Sequence, residues 1–159
     1  WCTAQLLELF PQEVKGLSLQ FIPEEVAGAF YHYSHGLQQH DGNCQRIAHG
    51  HRSRIEIFIN DKRDEKLEQE WANRWQDIYI GTTAHRKESE EGINTYEYRA
   101  PQGEFSLTLP EKYCYDIDTE TTVEQIARHL AARIKQVKPL DDVMVRAYEG
   151  IGKGAVAKA

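Results

Sequence analysis

The sequence predicts a single α+β domain. Three observations carry that expectation: apolar spacing switches repeatedly between two and 3.6, residues 49–59 alternate without a break, and residues 121–137 keep one helical stripe from end to end. A chain of 159 residues, 40% of them hydrophobic, can bury one core, and no Gly-, Ser- or Pro-rich stretch divides it.

Taken in order, "TAQLLELFP" and "PEEVAGAF" are expected to form or start short helices, with "GLSLQFI" between them as a strand. "AGAFYHYSHGL", residues 27–37, is aromatic-rich and expected to be extended, and the polar, Gly-bearing "QQHDGNC" reads as a loop. "HGHRSRIEIFIN" is the alternating strand. In "KRDEKLEQEWANRWQDI" the residues Leu67, Trp71, Trp75 and Ile78 fall on one helical stripe. "NTYEYRAPQGEFSLTL" reads as a hairpin, two alternating runs joined across Pro101 and Gly103. The clearest helix is "TTVEQIARHLAARIKQV", which aligns Val123, Ile126, Ala127, Leu130, Ile134 and Val137, with Thr121 and Glu124 as its capping box. "VMVRAYEG", residues 143–150, is expected to be the last strand. The glycines of "EGIGKGAV" lack a strand–turn–helix setting and read as a flexible terminus.

Composition removes several functions. A net charge of -6 without a basic run excludes a nucleic-acid backbone as partner, because phosphate binding needs clustered Lys and Arg. No stretch has the length of a membrane span. Cys2, Cys44 and Cys114 are an odd number without metal-knuckle spacing, which argues against a disulfide framework and for a reducing, cytoplasmic setting. The chain opens on Trp1 rather than Met, as a piece of a longer chain would.

Seven histidines make the chemistry. If residues 49–59 are extended, then His49, His51, Ser53, Ile55, Ile57 and Ile59 share one face. The same alternation puts Tyr31, Tyr33 and His35 together. His35, His49 and His51 would point inward from two neighbouring strands, at the end where the inner face meets a cavity. Three such imidazoles can hold Zn2+ with a fourth position open to water or substrate, the arrangement of a catalytic site. The other reading of a His-x-His pair is two histidines satisfied by backbone carbonyls. Cys44 is either a small buried apolar residue or, from its polar loop near a metal, a thiolate able to act as base. Glu149 ends the inner row Val143, Val145, Ala147. It is either a strand-end surface residue or a carboxylate that takes two adjacent N–H groups of a guanidine-like heterocycle.

"AFYHYSHGL", a cysteine shortly before "HGH" at the start of a strand, "TTVEQIA" opening a helix and "VRAYEG" late in the chain resemble the 6-pyruvoyltetrahydropterin synthase and 6-carboxytetrahydropterin synthase family over residues 27–150. The resemblance implies a single domain with residues 1–26 as an N-terminal extension. It implies a tunnelling fold: a four-stranded antiparallel sheet with two helices on one face, subunits joined into a barrel, and sites between subunits of a homo-oligomer. It implies zinc on His35, His49 and His51, Cys44 as catalytic base, and Glu149 anchoring a pterin ring, with Thr122 near a threonine that also touches it. The implied reaction is a zinc-dependent lyase step on 7,8-dihydroneopterin triphosphate, giving the 6-carboxy product of the queuosine pathway or the 6-pyruvoyl product.

This sequence departs from the family in three places. "QRIA" puts one residue more than usual between Cys44 and His49. The family's Asp-His pair has no clear counterpart. "TTAHR" offers His85 as its histidine, with a surface histidine as the other reading, and Asp116 or Asp118 as the carboxylate. The hairpin at 92–110 looks like an insertion. These departures fit a catalytically silent pterin- and zinc-binding or assembly domain as a second reading, or one half of a longer, duplicated protein.

Overall fold

Strand β1 (Phe30–His35) and strand β2 (His49–Ile59) pair antiparallel in a computed structural model that describes residues 1–23, 25–87, 90–150 and 152–159. The register sets Tyr33 opposite His51 and His35 opposite His49. Tyr31, Tyr33, His35, Ser53, Ile55 and Ile57 are all buried, as strict alternation requires of a strand with one face on a core. Asn60 and Asp61, both at positive φ, turn β2 tightly into β3 (Lys62–Arg63).

Asp64 caps helix α2 (Glu65–Arg74) by accepting the Leu67 N–H at 3.0 Å. The buried Glu68 carboxylate of α2 accepts the Ile57 N–H at 3.0 Å and pairs with Arg63 at 2.8 Å, tying the helix to β2. Asp77, at φ 57, redirects the chain after α2, so Ile78 is not the last residue of a helical stripe but the first of strand β4 (Ile78–Thr82). Strand β4 runs parallel to β1. Strands β5 (Arg86–Lys87), β6 (Ile93–Ala100) and β7 (Gly103–Pro110) make a separate three-stranded antiparallel sheet, with β6 and β7 as the expected hairpin. Strand β8 (Cys114–Ile117) then pairs parallel to β4. Helix α3 (Val123–Val137) returns the chain to strand β9 (Val143–Gly150), which lies antiparallel to β2, and β10 (Lys153–Lys158) borders β9. A short helix α1 (Cys2–Leu7) buries nothing.

The main sheet has the order β10-β9-β2-β1-β4-β8, with β3 on β2. Both long helices cover one face: Trp71, Ala72 and Trp75 of α2 and Ile126, Leu130 and Ile134 of α3 share a core with Tyr31, Ile55, Ile80 and Val145. Tyr79, between Ile78 and Ile80 on β4, must face the other way. There it packs with Ile47, Tyr96, Tyr98 and Ala100, so the hairpin covers the face opposite the helices.

The expected α+β class and the two helices on one face hold, but the four-stranded antiparallel sheet does not. The sheet is mixed, because α2 and the hairpin each carry the chain across to a parallel neighbour. The 17–22 segment forms no strand: Phe21 and Ile22 stay exposed, with no sheet beside them to supply hydrogen bonds. "PEEVAGAF" forms no helix over its described residues; Glu24 lies outside them, and Gly28 sits at φ 92, which no helix accommodates. The expected flexible terminus is instead strand β10, with only Ile151 outside the described residues. Gly154 allows that pairing, since a Cβ there would collide with the Ala147 carbonyl and the Tyr148 ring.

Candidate metal centre

His35, His49 and His51 converge. One nitrogen from each ring lies within 4.8 Å of the others, and ring centroids are 4.3 Å apart for His35 and His49, 5.1 Å for His35 and His51, and 5.2 Å for His49 and His51. The register explains this: His35 and His49 are directly opposed, and His51 follows two residues on along the same face.

Each ring is held the same way. The Nδ1–H of His35 is shared between the Thr121 carbonyl at 2.8 Å and Thr121 Oγ1 at 2.9 Å. His51 Nδ1 donates to the Glu149 carbonyl at 3.2 Å, and His49 Nδ1 donates to the Arg46 carbonyl at 3.5 Å. A carbonyl can only accept, so the proton sits on Nδ1 in all three rings and the Nε2 lone pairs are free. His35 Nε2 is buried without a hydrogen-bond partner. Burial, reinforced by the neighbouring His49 and His51, pushes the His35 imidazole down to about 3, and burial also lowers His49. The His35 and His49 rings are therefore held in the neutral form, the one that ligates metal.

This donor set fits a zinc ion: three neutral imidazole nitrogens, each oriented through its second nitrogen by a backbone carbonyl, with a coordination position left for a further ligand. The carbonyl bonds of the second reading are compatible with the first, because the bonds that satisfy the rings are also the ones that aim them.

Thr121 had been expected to cap α3 with Glu124. The cap is one residue later, with Thr122 Oγ1 accepting the Gln125 N–H at 3.4 Å. Glutamine serves at the third helical position as glutamate does, so the motif alone could not choose between the two threonines. Thr121 is buried, orients His35, and donates Oγ1–H to the Gly36 carbonyl at 3.4 Å. The sequence reading missed Thr121, as it missed the Arg46 and Glu149 carbonyls behind His49 and His51 and Glu120 beside His85.

Cys44 lies half-buried in the 3-10 turn Gly42–Gln45, and its carbonyl accepts the Leu37 N–H at 3.0 Å. Glu149 stands at the inner end of β9, its side chain only 12% exposed, and pairs with Lys153. The hydrogen bond to Glu149 and its charge hold the Lys153 ammonium above its ordinary range.

His85 is not among the metal ligands. It is buried in the turn Thr83–His85, against the Tyr98 ring at 4.8 Å, with Nε2 at 3.0 Å from Gln38 Oε1 and 3.8 Å from the Glu120 carboxylate. The carboxylate beside it is Glu120 and not Asp116 or Asp118. Asp116 takes Tyr96 O–H at 2.7 Å and Arg86 at 3.0 Å, while Asp118 takes the Thr83 hydroxyl at 3.0 Å. Burial raises Glu120 above the usual carboxylate range and lowers His85 below the usual imidazole range. Both line a cavity of about 780 Å³ that also reaches Thr122 and Gln125 at the start of α3.

The sequence model of the 6-pyruvoyl tetrahydropterin synthase family matches residues 27–159. The chain belongs to that family. Solved 6-pyruvoyl tetrahydropterin synthases share the fold at low identity: that of Plasmodium falciparum at 12% with a TM-score of 0.61, and that of Plasmodium vivax at 10% with a TM-score of 0.61. A Plasmodium vivax form described as a catalytic-residue mutant is 11% identical with a TM-score of 0.62. Each match covers 82% of this chain and 91% of the synthase. The comparison with curated proteins finds no match. No helix among the described residues is long and apolar enough to cross a membrane.

Proposed function

We propose that this chain is a zinc-dependent tetrahydropterin synthase-type lyase acting on 7,8-dihydroneopterin triphosphate. The observation that carries the reading is the His35, His49 and His51 triad, with one ring nitrogen from each within 4.8 Å of the others, in a member of this family that carries the half-buried Glu149 carboxylate.

Zinc held there supplies a Lewis acid that favours negative charge on the oxygens of the substrate's side chain. Glu149 binds the N–H edge of the pterin ring and fixes the side chain over the triad. Cys44 is the base that removes a side-chain proton. Thr122 borders the ring pocket. His85, with Glu120 beside it in the neighbouring cavity, returns a proton to the product. The preferred product is 6-carboxytetrahydropterin, for the queuosine pathway, with the 6-pyruvoyl compound as the other outcome. The protein acts in the cytoplasm as a homo-oligomer whose sheets join at their outer strands, β10 and β8, which bring together residues of neighbouring subunits.

A second reading, a catalytically silent pterin- and zinc-binding domain, is favoured by one observation: in the free protein the anchoring carboxylate is already engaged by Lys153. Mass spectrometry after incubation with 7,8-dihydroneopterin triphosphate separates the two. A lyase gives product with the wild type and none with Cys44→Ala, whose zinc content is unchanged. Turnover by Cys44→Ala removes the cysteine from the mechanism, and pterin binding without product establishes the silent domain.

A further inference from the structure

The strand that the sequence hides, β10, delivers one side chain to the site. Ala155 and Ala157 alternate inward and pack on the core beside β9, and Lys153 lies before them at the exposed start of the strand. Lys153 pairs with Gly150 and Gly154 with Tyr148, so Glu149 is an extra residue on β9, a bulge at the strand's end. Glu149 and Lys153 therefore lie on the same face at the mouth of the site, and the Lys153 ammonium pairs with Glu149 Oε1.

An N–H pair on a heterocycle edge needs both carboxylate oxygens at once. With Oε1 engaged by an ammonium, a ring that uses both oxygens must share or displace the lysine's hold on one of them. The two partners are unequal: the Glu149 side chain is 12% exposed and fixed, whereas the Lys153 side chain is 77% exposed and free to swing into water. The lysine is thus the partner that leaves. Its ammonium is also held in the charged state by Glu149, so it departs as a cation and is not itself a base.

We infer that Lys153 is a displaceable latch on the ring-binding carboxylate, closing Glu149 in the free protein and opening when a neutral pterin binds. This rests on the reading of Glu149 as ring anchor. The latch makes ring binding depend on ionic strength in an unusual direction, because salt weakens the ion pair that competes with a neutral ligand.

The test is titration calorimetry of the zinc-loaded full chain with 7,8-dihydroneopterin, which carries no phosphate, at low and high salt. Lys153→Met keeps the stem and removes the charge. It is expected to bind about two- to fivefold tighter at low salt, the range of an exposed ion pair, and to show no salt dependence. The wild type is expected to tighten towards the variant as salt rises. Equal or weaker binding by Lys153→Met overturns the latch. Glu149→Gln separates the two levels: if it binds much more weakly while Lys153→Met gains nothing, the latch alone falls. If Glu149→Gln binds like the wild type, the anchor falls and the latch with it.

Discussion

Replacing His35 by glutamine in the metal-free protein tests the geometry of the centre without any catalytic assay. The buried His35 imidazole is pushed down to about 3, by burial first and by His49 and His51 next. In the unfolded chain a histidine titrates near 6.5. The folded value is the lower one, so the unfolded state binds more protons between those two pH values, and stability falls as pH drops through that window. Between pH 7.5 and pH 5.5 the unfolded state gains nearly a full proton that native His35 refuses, which amounts to about 1.4 kcal/mol. Urea unfolding in the presence of a chelator should therefore show the wild type losing about 1.4 kcal/mol more than His35→Gln over that interval. His49, also lowered, contributes to both proteins and cancels. Equal losses would mean that His35 accepts a proton in the fold, and would refute the placement of its ring in a dry pocket between two other imidazoles.

Thr121→Val removes one of the two oxygens that share the His35 Nδ1–H and keeps the carbonyl; zinc affinity, followed by competition with a chromophoric chelator, should fall about tenfold, the lower end for loss of an orienting partner. Tyr98→Phe removes the hydroxyl that donates to the Gln45 carbonyl at 2.6 Å, in a tyrosine whose ionisation burial and Glu120 have pushed up to about 12. It should cost about 1 kcal/mol of stability and lower turnover while zinc content by metal analysis stays at the wild-type level.

The parts of the fold that could be read from the sequence are those with one buried and one wet face. Strand β2 keeps its alternation because Ser53, Ile55 and Ile57 meet the helices while Arg52 and Arg54 do not, and the same contrast aligned His35, His49 and His51 correctly. Helix α3 kept its stripe for the same reason. Strand β4 is buried at every position, between the helices on one side and the hairpin on the other, so the periodic signal vanishes and Ile78 read as the end of a helix. Strand β10 is built of glycine, alanine and lysine around one valine, too small a set of side chains to announce a strand. What holds the rings is least legible of all, since the Thr121, Arg46 and Glu149 carbonyls belong to the backbone and leave no mark on residue identity.

The extra residue between Cys44 and His49 takes on a different meaning once the hairpin is placed. A lengthened loop left to itself would let the thiol wander, and preorganisation would be lost. Here the loop is tied from the hairpin side: Tyr98 O–H donates to the Gln45 carbonyl, the Gln102 N–H donates to Gln45 Oε1 at 3.2 Å, and the Gln102 side-chain amide donates to the Gly42 carbonyl at 2.5 Å. Strand β4 adds a fourth tether, Tyr79 O–H to the Ile47 carbonyl at 3.0 Å. Gly36 lets these layers close, because a Cβ there would strike the Tyr98 hydroxyl and the Ile47 backbone. The hairpin and the cysteine loop are therefore tied together: the β6–β7 unit grips the 3-10 turn Gly42–Gln45 on both sides of Cys44. In the fold, the loop that carries Cys44 is thus braced by its own supporting sheet.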